Sequence, residues 1–244
     1  MKMRVVLLIV LLLAVASARA DFVGLYAGAG YWNANFSGDV IADVSVEDDL
    51  KIDSSNSRYV YLAFEHPVPL IPNIKLAHTA LKDSGRGSLS QGFTFNGDVF
   101  TVNETVTSEI DLTHTDVTLY YELLDLGMDL DVGITGRYFQ GEVAVNNTRE
   151  DLNVLLPMLY GHAKFGLPLT GAYFGGDINY ASYGGNQIAD YAVKVGWETE
   201  NFILPEFGIE AGYRSFSIDA DADDLDVNVD TQVDGVFLNL TGHF

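Results

Sequence analysis

The chain has 244 residues, 34 acids against 13 bases and a formal charge of −21, a balance that excludes nucleic acid as a partner because phosphate recognition demands basic patches. It has no cysteine, which removes disulfides and thiolate metal sites from consideration. A mean hydropathy of +0.14 is high for so acidic a chain, and beyond the N-terminus no apolar stretch is long enough for a spanning helix.

The N-terminus reads as a secretory signal peptide. Lys2 and Arg4 precede an apolar run from Val5 to Ala16, and Ala18-Arg19-Ala20 supplies an A-x-A cleavage site before Asp21. The run is too short for the roughly 20 residues of a transmembrane helix. Residues 1–20 are therefore expected to be removed, and 21–244 to form one domain that is more acidic still.

Alternation of apolar and polar residues then recurs along the chain, the signature of strands with two different faces. The first strand is predicted at 22–36, with Leu25, Ala27 and Ala29 opposite Tyr26, Gly28 and Gly30; its phase is ambiguous at Tyr31 and Trp32. Residues 37–56, with Glu47-Asp48-Asp49, read as a polar surface loop. The second strand, 57–66, sets Val60, Leu62 and Phe64 against Tyr61, Ala63 and Glu65, and the prolines of 67–72 force a turn. A third strand follows at 73–82. Residues 83–106 read as a second loop marked by Gly85, Gly87, Gly92 and Gly97, although Phe93, Phe95, Val99 and Val102 could extend the flanking strands.

The fourth strand, about 107–124, places Val117, Leu119, Tyr121 and Leu123 opposite Asp116, Thr118, Tyr120 and Glu122. After a turn at 125–127, the fifth opposes Leu130, Val132, Ile134 and Tyr138 to Asp129, Asp131, Thr135 and Arg137, and 144–153 is a third loop. Strands six (154–166) and seven (171–182) are joined by a turn at 167–170. A tight loop at 183–188 leads to strand eight (189–200), and 201–205 turns into strand nine, which starts at Glu206. The acidic segment 219–232 reads as the fifth loop, and Val233 to Phe244 as strand ten.

The final strand carries a resemblance. Val236, Leu238, Leu240 and Phe244 alternate with Phe237, Asn239, Thr241 and His243, and this ending resembles the C-terminal strand of Gram-negative outer-membrane β-barrel proteins; Gly242 departs from the residue type common there. With a bilayer crossable only by helices or closed barrels, the expected fold is all-β, a transmembrane up-and-down antiparallel β-barrel of ten strands. Eight is the competing count, because strands one and three alternate least. Short turns alternating with long loops put both termini on the periplasmic side. The resemblance implies outer-membrane localisation, surroundings of outer-membrane lipid and lipopolysaccharide, and biogenesis through periplasmic chaperones and the barrel assembly machinery.

If the apolar face meets lipid, the lumen collects Glu65, Lys75, Asp116, Glu122, Asp129, Asp131, Arg137, Lys164, Asp177, Lys194, Glu198, Glu210 and Arg214. Small barrels fill their interior with side chains, so these charges are expected to form a cross-lumen ion-pair network; a narrow conduit for small solutes is the alternative. Asp219, Asp221, Asp223, Asp224, Asp226 and Asp230 resemble a calcium loop poorly, since Asp224 stands where the turn needs glycine and Asp230 where glutamate closes the site. A solvated loop sharing divalent cations with lipopolysaccharide is the expectation. His114 with Thr115 and Asp116, His78 with Thr79, and Ser182 are the residues with catalytic chemistry, but the paired Asp-x-Asp and Asp-x-His groups of omptin-type proteases are missing. No catalytic or cofactor site is expected. Aromatics near strand ends, namely Trp32, Tyr120, Tyr121, Tyr160, Tyr183, Trp197 and Phe244, suit interfacial girdles. The function these readings favour is a non-enzymatic integral barrel with an envelope-structural or surface-interaction role; a narrow channel or transporter for small solutes is the second reading and an outer-membrane lipid- or peptide-cleaving enzyme the third.

Overall fold

A computed structural model describes residues 23–40, 44–125, 127–199, 205–222 and 227–243. The expected signal peptide and its cleavage site lie outside them. Ten strands form the barrel wall: β1 (Gly24–Val40), β2 (Ser54–Glu65), β3 (Asn73–Ala80), β4 (His114–Asp125), β5 (Met128–Phe139), β6 (Leu155–Gly166), β7 (Ala172–Tyr183), β8 (Asn186–Glu198), β9 (Glu206–Ala222) and β10 (Val227–His243). Each pairs antiparallel with the next. β10 pairs back to β1, from Tyr26↔His243 to Val40↔Val229, so the sheet closes and leaves no edge of unpaired backbone groups. The count is ten, not eight.

Strand parity sorts the side chains as alternation predicts. Val60, Leu62, Leu119, Ile134, Leu159, Val195, Ile209, Leu238 and Leu240 all stand exposed on the outer surface, and a belt of this kind is stable only against hydrocarbon. The ambiguity in β1 is resolved with Tyr31 outward and Trp32 inward, at 62% and 1% exposure. Between β7 and β8 the chain reverses through Gly184 and Gly185, at φ 61° and 95°, values that a two-residue hairpin turn requires of both central residues.

The two ends of the barrel differ. At one lie Gly24, His243 and the short connections; at the other, the long connections fold back as structure. Strands Lys82–Ser88, Thr105–Asp111 and Gly141–Val145 continue β3, β4 and β5 beyond breaks at Leu81, Leu112–Thr113 and Gln140, and with Thr148–Leu152 they form a four-stranded sheet above the wall. A hairpin of Phe93–Phe95 and Asp98–Phe100 lies between two of them.

Here three readings of the sequence are corrected. The first loop is not a polar surface loop: Val44, Val46, Leu50 and Ile52 are buried, and Asp49, which accepts the Ser45 amide of its own loop at 3.0 Å, ties it to the second by accepting the Ser90 amide at 2.8 Å. The second is not open loop, since Phe93, Phe95 and Phe100 turn inward while Val99 and Val102 stay exposed. Gly85 and Gly87 are strand residues rather than turn markers; a Cβ on either would strike the backbone of 49–51, so they are small to let the first loop cross their strand. The acidic 219–232 segment is likewise strand over most of its length, with β9 and β10 paired out to Ala222↔Val227. Ala220 and Val229, opposite each other in register, belong to the alternation that the aspartates obscured. Asp223, Asp224 and Asp226 fall outside the described residues.

The resulting apolar core fills the barrel at its long-loop end. It joins Trp32, Phe36, Ile52, Leu81, Leu89, Phe93, Val106, Phe139, Phe216 and Val233.

Two of the short connections carry a leucine in the left-handed region, Leu70 at φ 69° and Leu169 at φ 66°, each more than nine-tenths exposed. That conformation costs a non-glycine residue roughly 1–2 kcal/mol, offset in part by glycine's greater freedom when unfolded. Leu70→Gly and Leu169→Gly are each expected to raise stability, by on the order of 0.5 kcal/mol. A rise in the urea midpoint of the micelle-folded protein is the readout.

Candidate functional site

The lumen is a cup. Below the apolar core a cavity of about 560 Å³ extends to the short-turn end, and every charged residue that parity assigned to the interior lines it. Asp190 lines it too and was missed; it shares the parity of Lys194 and Glu198 on β8, so the same rule would have found it.

The floor is ionic. Arg137 donates from Nε to Asp116 Oδ1 at 2.8 Å and from Nη2 to Asp116 Oδ2 at 2.7 Å, and Nη2 also reaches Asp190 Oδ2 at 2.6 Å. Arg214 completes the set, donating to both Asp190 oxygens at 2.8 and 2.7 Å and to Thr79 Oγ1 at 3.3 Å. Four strands thus contribute two arginines and two aspartates, the balance that lets charge survive without water. Both guanidinium groups rest on the aromatic layer above, Arg137 over Phe216 at 5.4 Å and Arg214 over Trp32 at 4.6 Å from ring centres.

The middle tier is lysine and tyrosine. Lys194 bridges Asp177 and Glu210, each at 3.2 Å, while Lys75 lies 3.6 Å from Asp177 and over the rings of Tyr61 and Tyr160. His162 Nδ1 is 2.9 Å from Asp177 Oδ1, and Glu210 accepts the Tyr173 hydroxyl at 2.8 Å. The expected cross-lumen network is therefore present, but it fills only part of the bore.

The mouth is acidic. Lys164 donates to both oxygens of Glu198, at 2.8 and 3.0 Å, on one side. Glu65, Glu122, Asp125, Asp129 and Asp131 occupy the other.

Three aromatics expected in the girdles belong to this interior instead. Trp32, Tyr120 and Tyr160 are buried, because parity outranks proximity to a strand end; the Tyr120 hydroxyl donates to Glu65 Oε1 at 2.7 Å. Tyr121, Tyr183 and Trp197 do stand on the outside, and Trp197 Nε1 donates to the Thr170 carbonyl at 3.1 Å. Phe244 lies outside the described residues.

The residues with catalytic chemistry are scattered. His114 sits in the apolar layer, its Nδ1–H donating to the Leu112 carbonyl at 2.8 Å and its ring packed against Phe139 and Phe216. Asp116 is taken by Arg137. His78 lies 3.0 Å from Thr115, which shares the outward parity of Val117, Thr79 meets Arg214, and Ser182 stands opposite Gln187 in the β7–β8 hairpin. A nucleophile, a base and an orienting acid have to converge, and these do not.

A closed, even-stranded antiparallel barrel with an apolar exterior and a paired, charged interior is a transmembrane β-barrel of the outer-membrane type. No protein-family model matches the chain, and no curated protein matches it. Among solved structures it is similar to the outer membrane protease OmpT from Escherichia coli, at 10% identity and TM-score 0.46 over 91% of this chain and 96% of that one. It is also similar to the CymD monoaromatic hydrocarbon channel (10%, TM-score 0.35, 92% and 70%) and to a Pseudomonas aeruginosa FadL homologue (7%, TM-score 0.34, 91% and 89%).

Proposed function

We propose that this chain is a non-enzymatic integral protein of the outer membrane that offers no open passage, with an envelope-structural or surface-interaction role. The observation that carries the reading is the sealed bore. Above the Arg137–Asp116–Asp190–Arg214 floor, His114, Phe139 and Phe216 pack ring against ring and Trp32 joins the same core, the four coming from four strands of the wall and each at most 5% exposed. Rings this little exposed leave almost no water-accessible surface in the layer among the described residues, which supports a closed bore.

On this reading the short turns and both termini face the periplasm, the four-stranded sheet stands at the cell surface, and lipopolysaccharide with its divalent cations surrounds the acidic β9–β10 tip. Export through a signal peptide cleaved before Asp21, escort by periplasmic chaperones and insertion by the barrel assembly machinery follow from the same location.

Reconstituted into a planar bilayer, the protein is expected to be electrically silent. Steady single-channel steps would replace this reading by the second, a narrow channel for small solutes, which the cavity in the lower half of the bore favours.

A further inference from the structure

Among the described residues, the carboxylates on one side of the mouth of the cup form no ion pair. A bulge between Leu130 and Asp131 sets Asp131 opposite Glu122, while Asp129 stands opposite Asp125, so two like-charge pairs face each other across one hairpin. Like charges directly opposite in a ladder are destabilising. The lumen's bases are committed elsewhere: Arg137 and Arg214 to the floor, Lys75 and Lys194 to Asp177 and Glu210. Lys164, opposite Asp129 in register, turns to Glu198, and His162, opposite Asp131, holds its Nδ1 on Asp177.

What these acids do have is neutral donors and one another: Glu65 accepts the Tyr120 hydroxyl, Glu122 accepts the Asn73 amide at 2.9 Å, and the Glu65 and Glu122 carboxyl groups meet in a side-chain hydrogen bond. Among the described residues, no basic side chain lies within ion-pair distance of Glu65, Glu122, Asp125, Asp129 or Asp131. Asp131 supplies a separate observation: it is only 7% exposed, it lines the cavity, and its Oδ1 has no hydrogen-bond partner. A buried carboxylate oxygen without a donor costs more than an unpaired neutral polar group would in the same place.

We infer that the mouth of the cup binds a small organic cation, a molecule bearing primary ammonium or guanidinium groups, which enters from the short-turn end. Such groups bring several N–H donors on one centre, matching acceptors spread over two strands and the neighbouring Glu65. The cavity volume is that of small-molecule pockets, and its wall presents Tyr61, Tyr120, Tyr160 and Tyr173, surfaces suited to the carbon chain of an amine. A bare metal ion fits less well, because among the described residues no three acids or histidines are grouped closely enough to coordinate one. The low-dielectric walls focus the field of the acids along the axis and draw cations in.

The test is calorimetric titration of the micelle-folded protein with spermidine, with succinate as the anionic control. One saturable site is expected for spermidine and none for succinate. Glu122→Gln and Asp131→Asn are each expected to weaken it by about tenfold or more, the effect of removing one charge-assisted hydrogen bond. Asp219→Asn with Asp230→Asn, at the opposite end, is expected to leave it unchanged. Glu122→Lys keeps the test sharp if neutral variants fold poorly: it places an ammonium group among the acids and is expected to abolish binding while the protein still migrates as a folded barrel before heating. The inference is overturned if spermidine fails to bind, if Glu122→Lys binds as well as the parent, if loss follows the Asp219 and Asp230 changes instead, or if magnesium at equal charge displaces spermidine completely.

Discussion

Arg137→Met is expected to cost about 3–5 kcal/mol, the penalty for removing one partner of a buried ion pair, and to lower the urea midpoint of the micelle-folded barrel accordingly. Arg137 is fully buried and serves two carboxylates at once. Its removal leaves Asp116 without its bidentate partner, whereas Asp190 keeps Arg214. Methionine fills a similar volume, so the loss reports charge rather than a void. Arg137→Lys tests the geometry: an ammonium group retains the charge but has no fork to span Asp116 Oδ1 and Oδ2 while reaching Asp190. It should fall between parent and methionine variant. If Arg137→Met is as stable as the parent, the ionic floor is not what organises the bore. Restoration by Asp116→Asn in the methionine background would locate the cost in the stranded carboxylate.

The double variant Trp32→Ala/Phe216→Ala is expected to convert a silent barrel into a conducting one. These two rings are each 1% exposed and lie directly over the guanidinium groups of Arg214 and Arg137. Each truncation carries a cost of about 3–5 kcal/mol in a packed core, so folding is to be checked first by heat modifiability. In the folded fraction, removal of both rings opens the aromatic layer directly over the ionic floor, with only His114 and Phe139 of its four rings left in place. Single-channel steps in a planar bilayer are the readout. A folded double variant that stays silent would place the seal higher, among Phe36, Phe93, Phe95 and Phe100.

Much of this molecule is decided by side-chain parity, a strictly local property, and was therefore legible in the chain. Alternation in β2, β4, β5 and β10 told lipid-facing residues from lumen-facing ones, and the acids and bases it assigned to the interior all line the cavity. It failed where a second demand was laid over it. Aspartates hid the strand residues near 220 and 229, glycines at 85 and 87 mimicked turns, and the aromatics Trp32, Tyr120 and Tyr160 were judged by nearness to strand ends rather than by face.

Alternation along the backbone thus determined from the sequence by itself a barrel of two-faced strands with an apolar exterior, charged interior positions and two unlike ends, while ten strands over eight was decided by the closure of β10 on β1. Only the tertiary structure decided how that interior is divided. Whether Val44, Ile52 or Phe93 points to solvent or into the bore depends on which distant strands close over it, and Asp129 is left without a base because Lys164, its neighbour in register, turns to Glu198 two strands away. Those outcomes rest on contacts between residues far apart in the chain, and the period of two carries no information about height along the barrel axis. Height is what separates an apolar seal, an ionic floor and an acidic mouth.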